Sequence, residues 1–330
     1  MVDVACAVHV HSLYSDGTGT IPEIAAAARR AGARAVLITD HDSTDGRHEA
    51  GWVDGVLVCV GVEVSPRRGS HLLCFGLDEP PAHLARSTAQ VIDHVHAQGG
   101  FCIAAHPMSR GGWLMGVAGR AAPWGDLRLP FDGMEVWSMV TDVLEHVHGP
   151  RQLWRFRRDP DSVVVEPPRR NLAAWDALAR HRRIAAIAGL DAHQYGIRIG
   201  TGPALVAMRY ETSFRLLRTH VLLDAPMSGD ARADTVAIYA ALREGRSYMA
   251  RDSLADATGF SFASDGRQIA VRTPRAAKLC LRGNGQVVCE GHGTKLNHQA
   301  LCGGAYRVEA KLPRNGRWYT WVLSNHVWLD

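Results

Sequence analysis

Apolar residues in the first two-thirds of the chain fall in short runs separated by stretches of helical spacing. Strands are expected at Val4–His11, Ala35–Thr39, Val56–Val64, His71–Gly76, Phe101–Ala105, Gly133–Trp137, Ile184–Gly189 and Ala204–Met208. Between them, Thr20-Ile21-Pro22-Glu23 opens a helix with a capping-box pattern and Gly32 closes it. Further helices are expected at Ser87–Ala97, Asn171–His181 and Asp234–Glu244. Strands alternating with helices build βαβ units around a parallel sheet, and the number of such units points to a barrel.

The pattern changes near Ser253–Gly259. Short alternating runs follow at Ile269–Arg272, Leu279–Arg282, Val287–Glu290, Ala305–Lys311 and Trp318–Leu323, with Gly283-Asn284-Gly285 as a hairpin signal. This predicts a second unit, residues 254–330, built as a small all-β sandwich beside a barrel of residues 1–253. Two segments resist the pattern. Ser109–Trp124 is rich in Gly, Arg and Trp and predicts a long loop, in which Trp113 and Trp124 could stack a base or pack a lid. Arg151–Arg170 carries six arginines against three acids. It predicts a solvated, partly disordered excursion or a lid bringing cations over an anionic substrate.

With 330 residues, 46% hydrophobic and 21% charged, the chain is globular rather than disordered. A net charge of +4 argues against a dedicated nucleic-acid coat but allows a local basic pocket. No apolar run approaches the roughly 18 residues of a membrane span, and no leader pattern precedes the first strand, so a cytoplasmic location without membrane partners is expected. The seven cysteines form no CxxC pair. Cys6, Cys59, Cys74 and Cys102 read as reduced core residues.

The chemistry lies at the strand ends. His9 and His11 share a face of the first strand by the two-residue period, and Asp16 follows in a Gly-marked turn. Later strands end in Asp40-His41-Asp42, Glu63, His106, and Asp191-Ala192-His193, and one begins at His71. In parallel barrels functional groups gather at the C-terminal strand ends. Burying so many imidazoles and carboxylates without cations would leave unpaired charge, whereas a metal cluster removes that cost. Mixed His/Asp/Glu donors suit Zn, Mn or Fe, and the absence of Cys ligands points to a catalytic site.

These segments resemble the four motifs of the polymerase and histidinol phosphatase (PHP) family of metal-dependent phosphoesterases. They stand as His9-Val10-His11 with Ser15-Asp16-Gly17, Thr39-Asp40-His41-Asp42, Ala105-His106-Pro107 and Gly189-Leu190-Asp191-Ala192-His193, with Gly61-Val62-Glu63-Val64-Ser65 matching the bridging glutamate. The resemblance implies a distorted (β/α)7 barrel holding two or three divalent metal ions. It implies His9, His11, Glu63 and Asp191 at one metal, and Asp16, His41 and His193 at a second. Glu63, His71 and His106 would hold a third. The tail around Ala240–Tyr248, Gly259–Phe262 and Trp321–Asn325 resembles a bacterial subgroup that ends in a small β-sandwich.

The activity so implied is hydrolysis of a phosphate ester by a metal-activated hydroxide. Its substrate would be a small phosphomonoester or a nucleotide. Arg110 and Arg198 are candidates to clamp phosphoryl charge. Asp40 and Asp42 are candidates to orient ligand histidines or the leaving group. Glu135 reads as a packing or supporting residue. His94 with His96, and His146 with His148, stand two apart on helical stretches and do not share a face. Exonucleolytic attack on short 5′-phosphorylated oligonucleotides is a second expectation. A third is a catalytically retired barrel serving a binding module.

Overall fold

The computed structural model describes residues 1–66, 70–80, 87–111, 124–163, 165–194, 196–199, 202–206 and 208–330, with backbone alone for 196–199 and 202–206. The strands, in chain order, begin with β1 (Val2–Val10), β2 (Ala35–Ile38), β3 (Gly51–Val53), β4 (Val56–Val60), β5 (Val62–Val64) and β6 (Leu72–Phe75). They continue with β7 (Phe101–Ala104), β8 (Gly133–Ser138), β9 (Ala185–Gly189), β10 (Gly196–Ile199), β11 (Gly202–Val206), β12 (Arg218–Leu223) and β13 (Ser247–Ala250). The C-terminal set is β14 (Ser261–Asp265), β15 (Gln268–Gly283), β16 (Gln286–Gln299), β17 (Gly304–Arg314), β18 (Arg317–Ser324) and β19 (Val327–Leu329). Helices are α1 (Ile21–Ala31), α2 (Thr88–Ala97), α3 (Met139–His146), α4 (Pro150–Arg158), α5 (Arg169–Ala179), α6 (Tyr210–Leu216) and α7 (Ala231–Arg243).

Local sequence accounts for the helix ends. Thr20 accepts from the Glu23 amide while Glu23 accepts from the Thr20 amide, closing the expected capping box, and Gly32 ends α1 at φ 84°. Ser87 and Gln90 form the same box at α2. The helix expected at Asn171–His181 begins two residues earlier, at Arg169, and the one at Asp234–Glu244 begins at Ala231 behind its cap Asp230.

Alternate residues of β1 (Val4, Cys6, Val8), β2 (Ala35, Leu37), β4 (Leu57, Cys59), β6, β7 and β9 meet in one core, stopped at one end by Ile238, Ala241 and Leu242 of α7. The barrel nevertheless does not close. β5-β6-β7-β8-β9 form one sheet, and β3, β4, β2 and β1 belong to another. β5–β6 and β6–β7 are antiparallel, against the all-parallel expectation. The physical reason lies on β1. Its first half, Val2–Cys6, pairs antiparallel with β12, so only its last residues are left to meet the end of β9. There, single bonds replace a ladder: Leu190 N–H to Val8 O at 2.9 Å, Ala192 N–H to His9 O at 3.2 Å, and His11 N–H to Ala192 O at 3.0 Å.

The same β12 carries the sheet onward through β13 into β18, β17, β15 and β14, giving twelve strands in all with β16 and β19 attached at the side. The C-terminal strands therefore continue this ladder by antiparallel pairing. Their alternating buried residues (Ile269, Val271, Leu279, Leu281, Val308, Ala310, Trp321) gather in a core of their own.

Arg151–Arg170 is another departure. It contains α4, which buries Phe156. Its acids tie it to the C-terminal region: Asp161 pairs with Arg251, Asp159 with Arg314 at 2.7 Å, and Glu166 with Lys311 at 3.3 Å. Acids interleaved with arginines thus dock the segment where a disordered excursion was expected. Trp124 is buried edge-to-face against Phe131 at 4.9 Å, a packing role, and Trp113 lies outside the described residues. Cys6, Cys59, Cys74 and Cys102 are buried and free, as expected. Among the described residues no helix is long and apolar enough to cross a membrane.

The junction at β12 carries a buried charge cluster. His220 contacts Asp3 Oδ1 through Nδ1 at 2.7 Å and Asp252 Oδ2 through Nε2 at 2.9 Å. Burial alone would lower its pKa, but the two carboxylates outweigh it and raise the imidazole to about 9. A pKa raised on folding adds stability that is complete below the unfolded value near 6.5 and lost as pH rises through 9, on the order of 3 kcal/mol here. We predict that thermal stability falls between pH 6.5 and 9, and that His220→Gln flattens that slope. Unfolding midpoints across the range check it, and an unchanged slope in the variant contradicts it.

Candidate metal centre

The site is assembled from strand ends. β1 does not deliver its two histidines by simple alternation. His9 sits at φ 66° in a bulge, where the register between β1 and β2 skips from Val8 to Val10. His11 lies beyond the strand, and the two rings converge at 5.2 Å between centroids. His106 (φ 27°) and Asp191 (φ 50°) also hold left-handed backbone just past β7 and β9. Such conformations cost on the order of 1–3 kcal/mol each, and here they turn side chains inward at the ends of strands. Residues beyond β2 and β4 are locked by Glu63 N–H to Asp40 O and Asp42 N–H to Glu63 O, both 3.0 Å.

Glu63 is the hub. It is fully buried, and each carboxylate oxygen faces its own histidines. Oε2 lies 3.1 Å from His9 Nε2, 3.1 Å from His11 Nε2 and 3.4 Å from His41 Nδ1. Oε1 lies 2.9 Å from His71 Nδ1 and 3.2 Å from His106 Nε2. Asp191 Oδ1 stands 3.4 Å from both His9 Nε2 and His11 Nε2. Asp16 Oδ1 stands 3.1 Å from His193 Nε2, and its Oδ2 is 3.9 Å from His41 Nε2.

Three groups bring donor atoms within 4.8 Å of one another: His9, His11, Glu63 and Asp191; His11, Asp16, His41 and His193; and His41, Glu63 and His71. The first is the set expected from the sequence. The second gains His11, because its ring stacks on that of His193 at 4.0 Å. The third contains His41 where His106 was expected. His106 remains beside Glu63 Oε1, but its ring is set at 68° to that of His71.

The electrostatics of the cluster call for cations. Burial opposes charge on every group, yet Glu63 and Asp191 are held well below the usual carboxylate range, first by the His9 charge. Asp16 is lowered to about 2, chiefly by its hydrogen bond to His193. Conversely His9 is raised by Glu63 and Glu135, and His11 to about 9 by Asp191 and Glu63, in both cases against burial. For His41 burial prevails and the pKa falls. Protons on the imidazoles and divalent ions are alternative ways of neutralising the same carboxylates. His11 Nε2 is buried between Glu63 and Asp191, 3.1 and 3.4 Å from their oxygens. A ring nitrogen so placed fits a metal ligand, and the hard oxygen and imidazole donors fit Zn, Mn or Fe.

The remaining sequence candidates fall around this cluster. Asp40 is committed to its neighbours, accepting from the Ser12 amide at 2.7 Å, the Ser12 hydroxyl at 2.6 Å and the Ser15 hydroxyl at 2.6 Å. It fixes the turn that carries Asp16. Asp42 accepts from the Ser65 amide at 2.9 Å, and Ser65 Oγ lies 3.1 Å from His41 Nδ1. The Arg110 amide donates to Glu145 at 2.8 Å and its side chain is exposed. Arg198 lies on β10, and its side chain is outside the described residues.

Glu135 has a larger role than its place in an apolar strand signalled. It is fully buried, lies 3.3 Å from His9 Nδ1 through Oε1, and accepts from the His106 amide through Oε2 at 2.6 Å. A proton held at Nδ1 leaves Nε2 of His9 to face Glu63 and Asp191. Gly189 makes the space, because a Cβ there would collide with Glu135 Oε1. Tyr210 likewise escaped sequence reasoning, and its hydroxyl donates to His11 O at 2.8 Å.

Residues 7–97 match the PHP domain family, a stretch that contains His9, His11, Asp16, His41, Glu63 and His71. Over 98 residues the chain is 35% identical to phosphoribosyl 1,2-cyclic phosphate 1,2-diphosphodiesterase of Eggerthella lenta, covering 27% of this chain and 37% of that protein. The chain thus spans little more than a third of the length of this curated relative. A two-domain protein of Bacteroides vulgatus, containing a predicted PHP-like metal-dependent phosphoesterase, aligns with 99% of this chain and 95% of its own. The TM-score is 0.45 and the identity 15%.

Gly189→Ala should displace Glu135 and lower metal affinity by about 10–100-fold, the usual cost of losing a residue that orients a ligand. Competition against a chelator measures this. Wild-type affinity in the variant contradicts the role given to Glu135.

Proposed function

We propose that this chain is a metal-dependent hydrolase of phosphoric esters. The observation that supports it best is the buried Glu63 carboxylate, whose two oxygens face different imidazole sets and so suit a bridge between neighbouring ions. His9, His11, Glu63 and Asp191 would hold one ion. Asp16, His41 and His193, with His11 at hand, would hold a second. His71, with His41 or His106 and the other oxygen of Glu63, would hold a third. Divalent ions at these positions lower the pKa of a water to near neutrality and absorb charge developing on a phosphoryl group.

The rest falls to the chain itself. Glu135 retains the proton on His9 Nδ1, and Ser65 sets the ring of His41. Asp40, through Ser12 and Ser15, keeps Asp16 at the mouth and acts as a positioning residue. Asp16 and His41 are the most exposed donors, where an incoming ester would first meet the cluster; Asp16 is half-exposed. Arg110, in the segment after β7, and Arg198, on β10, are the residues proposed to meet the non-reacting phosphate oxygens. Residues 254–330 are proposed as an accessory unit, bonded edge-on to β13.

The proposed substrate is a small phosphate ester, a monoester or a nucleotide. The Eggerthella lenta relative is named for a cyclic phosphate, so cyclic diesters belong with the candidates. A panel of monoesters, cyclic diesters and short 5′-phosphorylated oligonucleotides, read beside elemental analysis of the purified protein, separates these classes. Asp191→Asn is expected to lose bound metal and to reduce turnover at least about 100-fold. Wild-type turnover in that variant would overturn the assignment of the site.

A further inference from the structure

A second cavity, of about 470 Å3, opens between α5 and the C-terminal sheet. Its sheet wall is formed by Arg282, Arg307, Glu309, Lys311 and Thr320, and its helix wall by Arg169, Asp176 and Arg180. Five cations thus face three acids, the third being Glu166. The volume is that of a small-ligand site.

The floor is built and rigid. Arg307, 1% exposed, grips Asp176 with two parallel bonds of 2.7 and 2.8 Å and reaches Glu309 with a third of 2.7 Å. Both buried acids are therefore already satisfied. The hairpin Asn284-Gly285 closes one side. Its two residues hold φ 52° and 83°, and a Cβ on Gly285 would crowd Asp176 at 3.3 Å. Arg180 donates to Asn284 O at 2.6 Å, joining the helix to that turn.

Above this floor, donors outnumber acceptors. Arg282 uses Nε on Glu309 at 2.9 Å and one terminal nitrogen on Gly285 O at 3.2 Å. Lys311 shares Glu166 at 3.3 Å, and Arg169 is largely exposed beside it. A separate observation points to a missing partner. Thr320 is 1% exposed and lines the cavity, yet its hydroxyl makes no hydrogen bond among the described residues. A buried hydroxyl without a partner costs about 1–3 kcal/mol, which a bound acceptor recovers.

We propose that this cavity binds a compact polyanion, a small molecule bearing two or more phosphate or carboxylate groups. Guanidinium forks and the Lys311 ammonium take its anionic groups, and Thr320 donates to one of them. The ligand bridges α5 and the C-terminal strands. It is separate from the metal ligands, since none of them lines this cavity.

Calorimetric titration of the full-length chain with methylenediphosphonate, and in parallel with citrate, tests this. Glu63→Gln, which impairs the metal centre, should still bind one equivalent. Arg282→Gln combined with Lys311→Gln should weaken that binding by about tenfold or more while leaving turnover unchanged. Thr320→Val should weaken it severalfold without lowering the melting temperature, because the hydroxyl it removes has no partner. Binding of methylenediphosphonate alone identifies phosphate as the preferred group, and binding of both leaves carboxylates as ligands too. Three results overturn the proposal: no binding of either probe, binding unaffected by the cavity variants, or binding abolished by Glu63→Gln.

Discussion

A carboxylate buried among imidazoles is tolerable only if its charge is met on every side, and Glu63 sets that condition for this fold. Two carboxylate oxygens, fully removed from solvent, are met by five histidine rings drawn from three strand ends and the residue before β6. Ordinary packing offers no gain for such an arrangement, since apolar residues of like volume would fill the space without desolvation cost. The cluster is stable only with protons or metal ions in it. Which of the two it holds determines whether it is a salt-bridge network or a reaction centre.

Much of the surrounding structure serves to hold that carboxylate and its partners in place. The left-handed residues His9, His106 and Asp191 turn side chains inward where a regular strand would send them past the site. Gly189 leaves room for Glu135, and Glu135 in turn fixes both the His9 ring and the His106 amide. The Asp40 carboxylate accepts from Ser12 and Ser15, so the turn bearing Asp16 is pinned from beyond β2. β12 completes the frame from outside. By occupying the first half of β1 it prevents a closed barrel, and it leaves the second half free to place His9 and His11 against the end of β9.

The donor residues were legible in the sequence because imidazoles and carboxylates stand out at the ends of apolar runs, and because their motifs resemble those of the PHP family. The grouping was less legible. Whether His41 or His106 joins His71 and Glu63 depends on ring orientation, which spacing does not encode. The helix at Thr20 was readable from its cap, which is local. The open barrel was not, because strand pairing between β1 and β12 joins segments more than 200 residues apart. Arg151–Arg170 was misjudged for a related reason. Its composition resembles a solvated loop, but Asp159, Asp161 and Glu166 have distant basic partners that the local sequence does not reveal.

The central claim is that Glu63 bridges metal positions through its two oxygens. The most direct measurement is metal stoichiometry, by elemental analysis, of the wild-type chain and of folded Glu63→Gln prepared side by side. An amide presents one neutral oxygen where the carboxylate presented two charged ones, so the account predicts that the variant loses more than one equivalent together. Loss of a single equivalent, or none, would contradict a bridging role.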